Sequence, residues 1–244
     1  MRPRSAERQL FRIASHSKTF TATAVLQLVE AGRMRLDDPI AHWVPAVADR
    51  APALAAVTVR ELLGHQGGVI RDGRDNDHWQ LLHPFPDEDG LLALAADGGA
   101  VFGRNEHFKY SNIGYSLLGL AIEAVTGRSY AEHVQRAVVD RLGLSDTGPE
   151  WNPDRAGDYA AGHTGLLDGE DTRLRIRHVD THAMAAATGF YSTAEDLTVF
   201  GAAHAGTDER LLTAASSRLM RRPAGCPEIL SVPDDHARSP DDHA

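Results

Sequence analysis

Cysteine is almost absent. Cys226 is the only one in 244 residues. A single thiol cannot close an internal disulfide, and it excludes a cysteine-rich zinc module. Long apolar runs are missing too, and no stretch approaches the ~20 residues of a membrane span. Basic charge is in short supply, with 25 Lys and Arg against 34 Asp and Glu and a net charge of -9. That balance argues against non-specific nucleic-acid binding and against anionic membranes. The first nineteen residues carry arginines but no apolar core, so they do not read as a secretory signal, and the chain as written is expected in the cytoplasm. Lysine is scarcest of the common residues: Lys18 and Lys109 are the only two. A motif that requires lysine is therefore much less expected by chance. What remains is ordinary for a globular protein, 42% hydrophobic and 24% charged, and the length suits one large domain or two small ones.

The periodicities are mostly helical. Residues 15–32 read as a helix start and helix. Ala22, Ala24, Val25, Leu26, Leu28 and Val29 are apolar and Gly32 is a natural stop, although Thr19, Thr21 and Thr23 are poor helix formers. Pro39 restarts a short helix toward Trp43. Thr58 and Glu61 have the spacing of a capping box, and Gly67-Gly68 ends that helix. Residues 71–90, rich in Asp, Gly, His and Pro, read as a long surface loop, followed by a short helical piece at 91–96. Apolar residues recur at helical spacing over 111–127, and 129–142 reads as a further helix stopped by Gly143. Residues 148–172 are loop-like, and 174–177 alternate as a short strand would. Thr193, with Glu195 and Asp196 behind it, starts another helix. The last helix is expected over 211–220. After Arg222 the composition turns to Pro, Asp and His, and Pro-Asp-Asp-His-Ala occurs at 233–237 and again at 240–244. This tail, 223–244, reads as low-complexity and disordered.

Two short patterns carry chemistry. Ser15-His16-Ser17-Lys18 is a Ser-x-x-Lys tetrad at a helix start. Residues three apart share a helix face, so the Lys18 amine can reach the Ser15 hydroxyl. The helix N-terminus favours an alkoxide there, and the lysine serves as a base only if burial or a nearby cation lowers its pKa. Tyr110-Ser111-Asn112 is the second pattern. A tyrosine hydroxyl can relay a proton between nucleophile and leaving group, and the Asn112 amide can bridge Lys18 and a substrate amide. Taken singly, Ser15 reads as a helix cap and Tyr110 as a buried anchor with a satisfied hydroxyl. Found together in this order, they shift the weight to chemistry.

With these residues the chain resembles the serine β-lactamase-related family, which includes class C β-lactamases, D-alanyl-D-alanine carboxypeptidases and family VIII carboxylesterases. The segment FRIASHSKTFTA at 11–22 is similar to the nucleophile segment of that family. LVEAGRMRLDDP at 28–39, ELLGHQGGV at 61–69, YSNIGYSLLG at 110–119 and AAATGFYSTAEDL at 185–197 resemble its recurring segments. The resemblance covers about residues 10–222. It implies an α+β fold of the β-lactamase/transpeptidase type over residues 1–222. It also implies a serine hydrolase in which Ser15 is the nucleophile, Lys18 its base partner, Tyr110 the acid/base relay and Asn112 the residue that orients substrate. The Ser15 backbone N–H would supply half of an oxyanion hole. The implied substrate is a small-molecule or peptide acyl compound: a β-lactam, a D-Ala-D-Ala peptide or an ester. No cofactor and no metal are implied.

The chain also departs from that family. The third family motif, Lys-Thr-Gly or His-x-Gly on a strand lining the site, has one local match, His163-Thr164-Gly165. It follows Tyr110 too closely and precedes the 185–197 segment, so it reads as part of a loop. The expectation is a predominantly helical chain with few short strands, the central antiparallel sheet largely missing and the third motif beyond its end. Loss of one oxyanion donor costs about 3–4 kcal/mol of transition-state stabilisation. Helices left uncovered would expose apolar surface that favours self-association. Two other classes compete with the hydrolase: a catalytically impaired remnant or binding scaffold, and a weak metal binder using His236 and His243 beside their aspartates.

Overall fold

The computed structural model describes residues 9–74, 76–165, 173–205 and 208–222. The tail 223–244, with His236 and His243, lies outside the described residues. Helix α1 (Ser17–Glu30) runs through the centre. The short helices α2 (Ile40–Trp43), α3 (Ala46–Arg50) and α4 (Val59–Leu63) follow, then α5 (Glu88–Gly98) and α6 (Asn112–Thr126). Next come α7 (Tyr130–Val134), a π turn over Gln135–Val139 and α8 (Asp140–Leu142). The last are α9 (Ala185–Thr188), α10 (Ala194–His204) and α11 (Ala214–Arg221). Strands are short. β1 (Phe11–Arg12) pairs antiparallel with β4 (Tyr191–Ser192), and β2 (Gly162–His163) with β3 (Arg175–Ile176). Among the described residues these two-stranded sheets are the only ones, so the helical character matches the expectation.

The core forms around α1 and α6 because neither is a surface helix. Ten of fourteen residues in α1 and eleven of fifteen in α6 are buried, which is the pattern of a helix surrounded by protein. The threonines of α1 are tolerated because tertiary contacts satisfy them. Thr21 Oγ1 donates to the Ala186 carbonyl at 2.7 Å and bonds the Tyr130 hydroxyl at 2.6 Å. Thr23 Oγ1 lies 2.9 Å from His204 Nε2. Helices α6 and α9 pack closely at Gly119, where a Cβ would sit 2.8 Å from the Ala186 Cβ. Phe20 stacks between Phe190 and Phe200, with ring centroids 4.3 and 3.8 Å away. Phe20→Ala is expected to cost about 3–5 kcal/mol of stability, read by denaturant unfolding; a loss below about 1 kcal/mol would show that this stack does not organise the core.

The caps hold where the sequence places them. Thr58 and Glu61 form both bonds of the capping box, and Thr193 Oγ1 accepts from the Asp196 N–H. Several boundaries differ. Helix α4 stops at Leu63 with Gly64 as its C-cap, ahead of Gly67-Gly68, and α1 starts at Ser17 behind a 3-10 turn over Ala14–His16. The 71–90 loop contains a 3-10 turn at Asp77–Gln80, and its end is already the first turn of α5, because Asp87 caps the Gly90 N–H and Glu88 and Asp89 suit the positive helix end. The last helix begins at Ala214 behind its cap Thr213, since Leu211 and Leu212 are buried as anchors ahead of it. The 129–142 helix is interrupted by the π turn.

Apolar surface is exposed at Phe11, Leu82, Phe108 and Leu174. No helix among the described residues is long and apolar enough to cross a membrane.

Candidate active site

The chain reaches Ser15 through a braced turn. Strand β1 pairs with β4, and the Ile13 N–H donates to the Phe190 carbonyl at 3.0 Å. Ala14 then takes a left-handed backbone, φ +47°, which an L-residue adopts at a cost of roughly 1–2 kcal/mol. Ser15 lies in the 3-10 turn Ala14–His16 that leads into α1. Buried Ser17 holds this turn: its hydroxyl donates to the Ala14 carbonyl at 2.6 Å and accepts from the Phe190 N–H at 3.0 Å. Local strain at a residue fixed from several sides is a pattern associated with functional turns.

The four residues singled out by sequence come together. The exposed Ser15 hydroxyl lies 2.5 Å from the Tyr110 hydroxyl and 3.4 Å from Lys18 Nζ. It caps no helix: the α1 N-cap position is His16, without a side-chain bond. Lys18 is 5% exposed. Its amine donates to Asn112 Oδ1 at 2.7 Å and to the Ala187 carbonyl at 2.8 Å. The amine also sits 4.8 Å from the centre of the Tyr110 ring. Burial lowers the Lys18 pKa from 10.5 to about 7, with the Asp72 carboxylate opposing that shift and the Arg71 guanidinium adding to it. A neutral amine has two N–H donors and one lone pair. As an ammonium Lys18 donates to Asn112, Ala187 and Ser15; once neutral, with Asn112 and Ala187 taking its two donors, its lone pair faces Ser15.

Asn112 opens α6, where the Ser111 hydroxyl caps the Gly114 N–H at 2.8 Å. Its Oδ1 bridges to Lys18 as the sequence suggests, but its Nδ2 donates to Asp72 Oδ1 at 2.6 Å. One Nδ2 hydrogen is left for a substrate acceptor. Behind Tyr110 lies His65, whose ring centroid is 4.6 Å from the tyrosine ring and whose Nδ1 accepts the Ser111 N–H at 3.2 Å. Burial and the nearby Lys18 push the His65 pKa down to about 4, so it is neutral near pH 7.

Sequence reasoning missed Asp72, His65 and the Ala187 carbonyl. Asp72 stands in an Asp- and Gly-rich run, where nothing separates it from ordinary loop aspartates. His65 has no ligand-like spacing, and a backbone carbonyl leaves no trace in residue types. His163-Thr164-Gly165 is not wholly the loop that the sequence led one to expect: His163 belongs to exposed strand β2, which pairs with β3, and the Thr164 N–H donates to the Leu174 carbonyl at 2.9 Å, because the segments on either side are brought into antiparallel register.

Two clefts of about 430 Å³ each lie near the serine turn or along α1. One opens beside Ala14 and Thr188 and is walled by Phe11, Trp79, Phe85 and Ile176. The other runs along α1 past Lys18, Leu26, Tyr115 and Met220. A hydroxyl held between a phenol and a buried amine that can lose its proton near pH 7, close to an apolar cleft, can attack a carbonyl carbon and pass its proton on.

Comparison with known proteins points the same way. Penicillin-binding protein 4 of Amycolatopsis lactamdurans is 32% identical over 232 residues, 89% of this chain and 58% of that protein. A D-stereospecific amidohydrolase from Streptomyces sp. has a similar structure, with a TM-score of 0.74 and 26% identity over 86% of this chain and 64% of that one. A penicillin-binding protein from Bacillus halodurans gives 0.73 and 30% identity, covering 88% of this chain and 64% of that one. The chain thus spans less than two thirds of each. The family model Beta-lactamase matches residues 2–230. With the fold of its neighbours and a family match across nearly its whole length, this chain belongs to the β-lactamase family.

Proposed function

We propose that the chain is a serine hydrolase acting by acyl transfer through Ser15. The observation that carries this reading is the contact set around one hydroxyl: Tyr110 at 2.5 Å and Lys18 at 3.4 Å, the amine brought by burial to a pKa of about 7. Lys18 accepts the Ser15 proton as Oγ attacks the substrate carbonyl carbon. Tyr110 gives a proton to the leaving heteroatom as its bond to that carbon breaks, and the proton is restored from Lys18. Water then cleaves the acyl-serine ester by the same groups in reverse. The backbone N–H groups that open the 3-10 turn have no partner within it, and that of Ser15 serves as an oxyanion donor. Asn112, with one free amide hydrogen, orients the substrate. Relatives that include a penicillin-binding protein, a D-amino acid amidase and an esterase support a β-lactam, a D-amino-acid peptide or amide, or an ester as substrate, and the apolar cleft beside Ala14 suits an apolar acyl group. The exposed Phe11, Leu82, Phe108 and Leu174 support self-association as a further property.

The test is covalent labelling of the purified chain by a fluorescent fluorophosphonate and a fluorescent penicillin, with peptide mass spectrometry. The expected result is fluorophosphonate label on Ser15, and penicillin label as well if β-lactams are accepted. A folded chain that takes neither label would overturn the hydrolase reading in favour of an impaired binding scaffold.

A further inference from the structure

Asp72 is a buried carboxylate one residue removed from the serine machinery. It is 4% exposed. Its Oδ1 accepts Asn112 Nδ2 at 2.6 Å and its Oδ2 lies 3.0 Å from Arg71 Nε. The loop that carries it is latched to the start of α6. The Asn112 and Ile113 N–H groups both donate to the Arg71 carbonyl, at 2.9 and 3.2 Å, and the Ser111 hydroxyl donates to the Ile70 carbonyl at 2.7 Å. Asp72 is thus fixed against the positive end of a helix, a favourable place for a carboxylate.

An asparagine amide can sit in either of two flips of nearly the same shape. Here its two neighbours differ in kind. The Lys18 amine presents N–H donors and the Asp72 carboxylate only accepts. One flip satisfies both and the other satisfies neither. We propose that Asp72 is a positioning residue for the acyl-transfer site: it locks the Asn112 amide so that Oδ1 takes one Lys18 N–H and the amine's remaining valence faces Ser15. This rests on the serine-hydrolase reading above. Asp72 also acts on Lys18 through its field. The groups around that amine are Asp72 and Arg71 from the loop, Tyr110, Asn112 and Tyr115 from the α6 segment, His65 behind α4, and the Ala187 carbonyl of α9. Asp72 is the anion among them that raises the Lys18 proton affinity against burial and Arg71.

The scarcity of lysine makes the test direct. With only Lys18 and Lys109 in the chain, 13C-lysine labelling gives two NMR signals, and Lys109→Arg assigns them. Asp72→Asn keeps an acceptor for Asn112 and removes the charge, so the Lys18 titration is expected to move down by about 1 unit or more. The acid limb of the Ser15 labelling rate is expected to move with it. Asp72→Ala frees the amide, and the plateau labelling rate is expected to fall by roughly tenfold or more per folded molecule, the folded fraction being read by circular dichroism. Unchanged Lys18 titration in Asp72→Asn, or an Asp72→Ala rate equal to wild type per folded molecule, would overturn the proposal. A wild-type chain that titrates as described but takes no fluorophosphonate overturns the hydrolase reading instead. The NMR arm still decides the role of Asp72.

Discussion

Ser15→Ala is expected to abolish fluorophosphonate labelling and to lower turnover of an activated ester by at least about 10⁴-fold, the scale seen when a nucleophilic serine is removed from a hydrolase. The reason is stereochemical. Ser15 supplies the hydroxyl that touches both Tyr110 and Lys18. The two neighbouring hydroxyls in the segment are committed elsewhere: Ser17 to Ala14 and Phe190, and Thr19 to the His16 carbonyl. Neither can replace it. Because Ser15 is exposed, loss of its hydroxyl is expected to change stability by no more than about 0.5 kcal/mol, so the variant should melt with the wild type. Measurement of both quantities on one preparation separates lost chemistry from lost fold. Equal labelling of wild type and variant would place the nucleophile elsewhere.

Removal of Lys18, the proposed base, is expected to give the second large effect. A neutral amine is required to accept the Ser15 proton, and the folded-state pKa is about 7. Labelling and kcat/KM should therefore rise as pH passes upward through about 7 and fall below it, as Lys18 becomes an ammonium with no lone pair. Lys18→Arg installs a permanent charge that cannot be lost in any working range, and a rate loss of about 10²–10⁴-fold is expected at pH 8. Lys18→Met removes the base altogether, and it also leaves Asn112 Oδ1 and the Ala187 carbonyl without their donor. It should lose the rate and also about 1–3 kcal/mol of stability. The decisive reading is the shape of the pH profile. A wild-type acid limb near the ordinary lysine value of 10.5, or an arginine variant that keeps the wild-type limb, would remove Lys18 from the role of base.

The Ser15 and Lys18 pair was legible because three-residue spacing on a helix fixes a shared face, and because a chain with two lysines offers few accidental matches. The Thr58 and Glu61 capping box and the Thr193 cap were legible because caps are local: donor and acceptor lie within three residues of each other. Apolar spacing over 111–127 marked α6 for the same reason. Each of these depends on contacts within one turn of chain, which is the range over which residue order alone constrains geometry.

Other features are set by contacts across the chain. That Tyr110 meets Ser15 across 95 residues depends on α6 packing beside α1, and that Lys18 meets the Ala187 carbonyl across 169 residues depends on α9 lying over both. The low pKa of Lys18 is a property of burial, which no local pattern encodes. The threonines of α1 look unfavourable until Ala186, Tyr130 and His204 are in place to bond them. Asp72 was indistinguishable from its loop neighbours until the Arg71 carbonyl latched that loop to α6 and set the carboxylate against Asn112. By itself, then, the sequence determined the helical pattern and the local caps and marked four candidate site residues, because these follow from short-range spacing and residue chemistry. The tertiary structure decided which way the Asn112 amide faces, what state of protonation Lys18 holds and which carboxylate stands behind it, because orientation and dielectric environment arise only when segments distant in the chain are packed together.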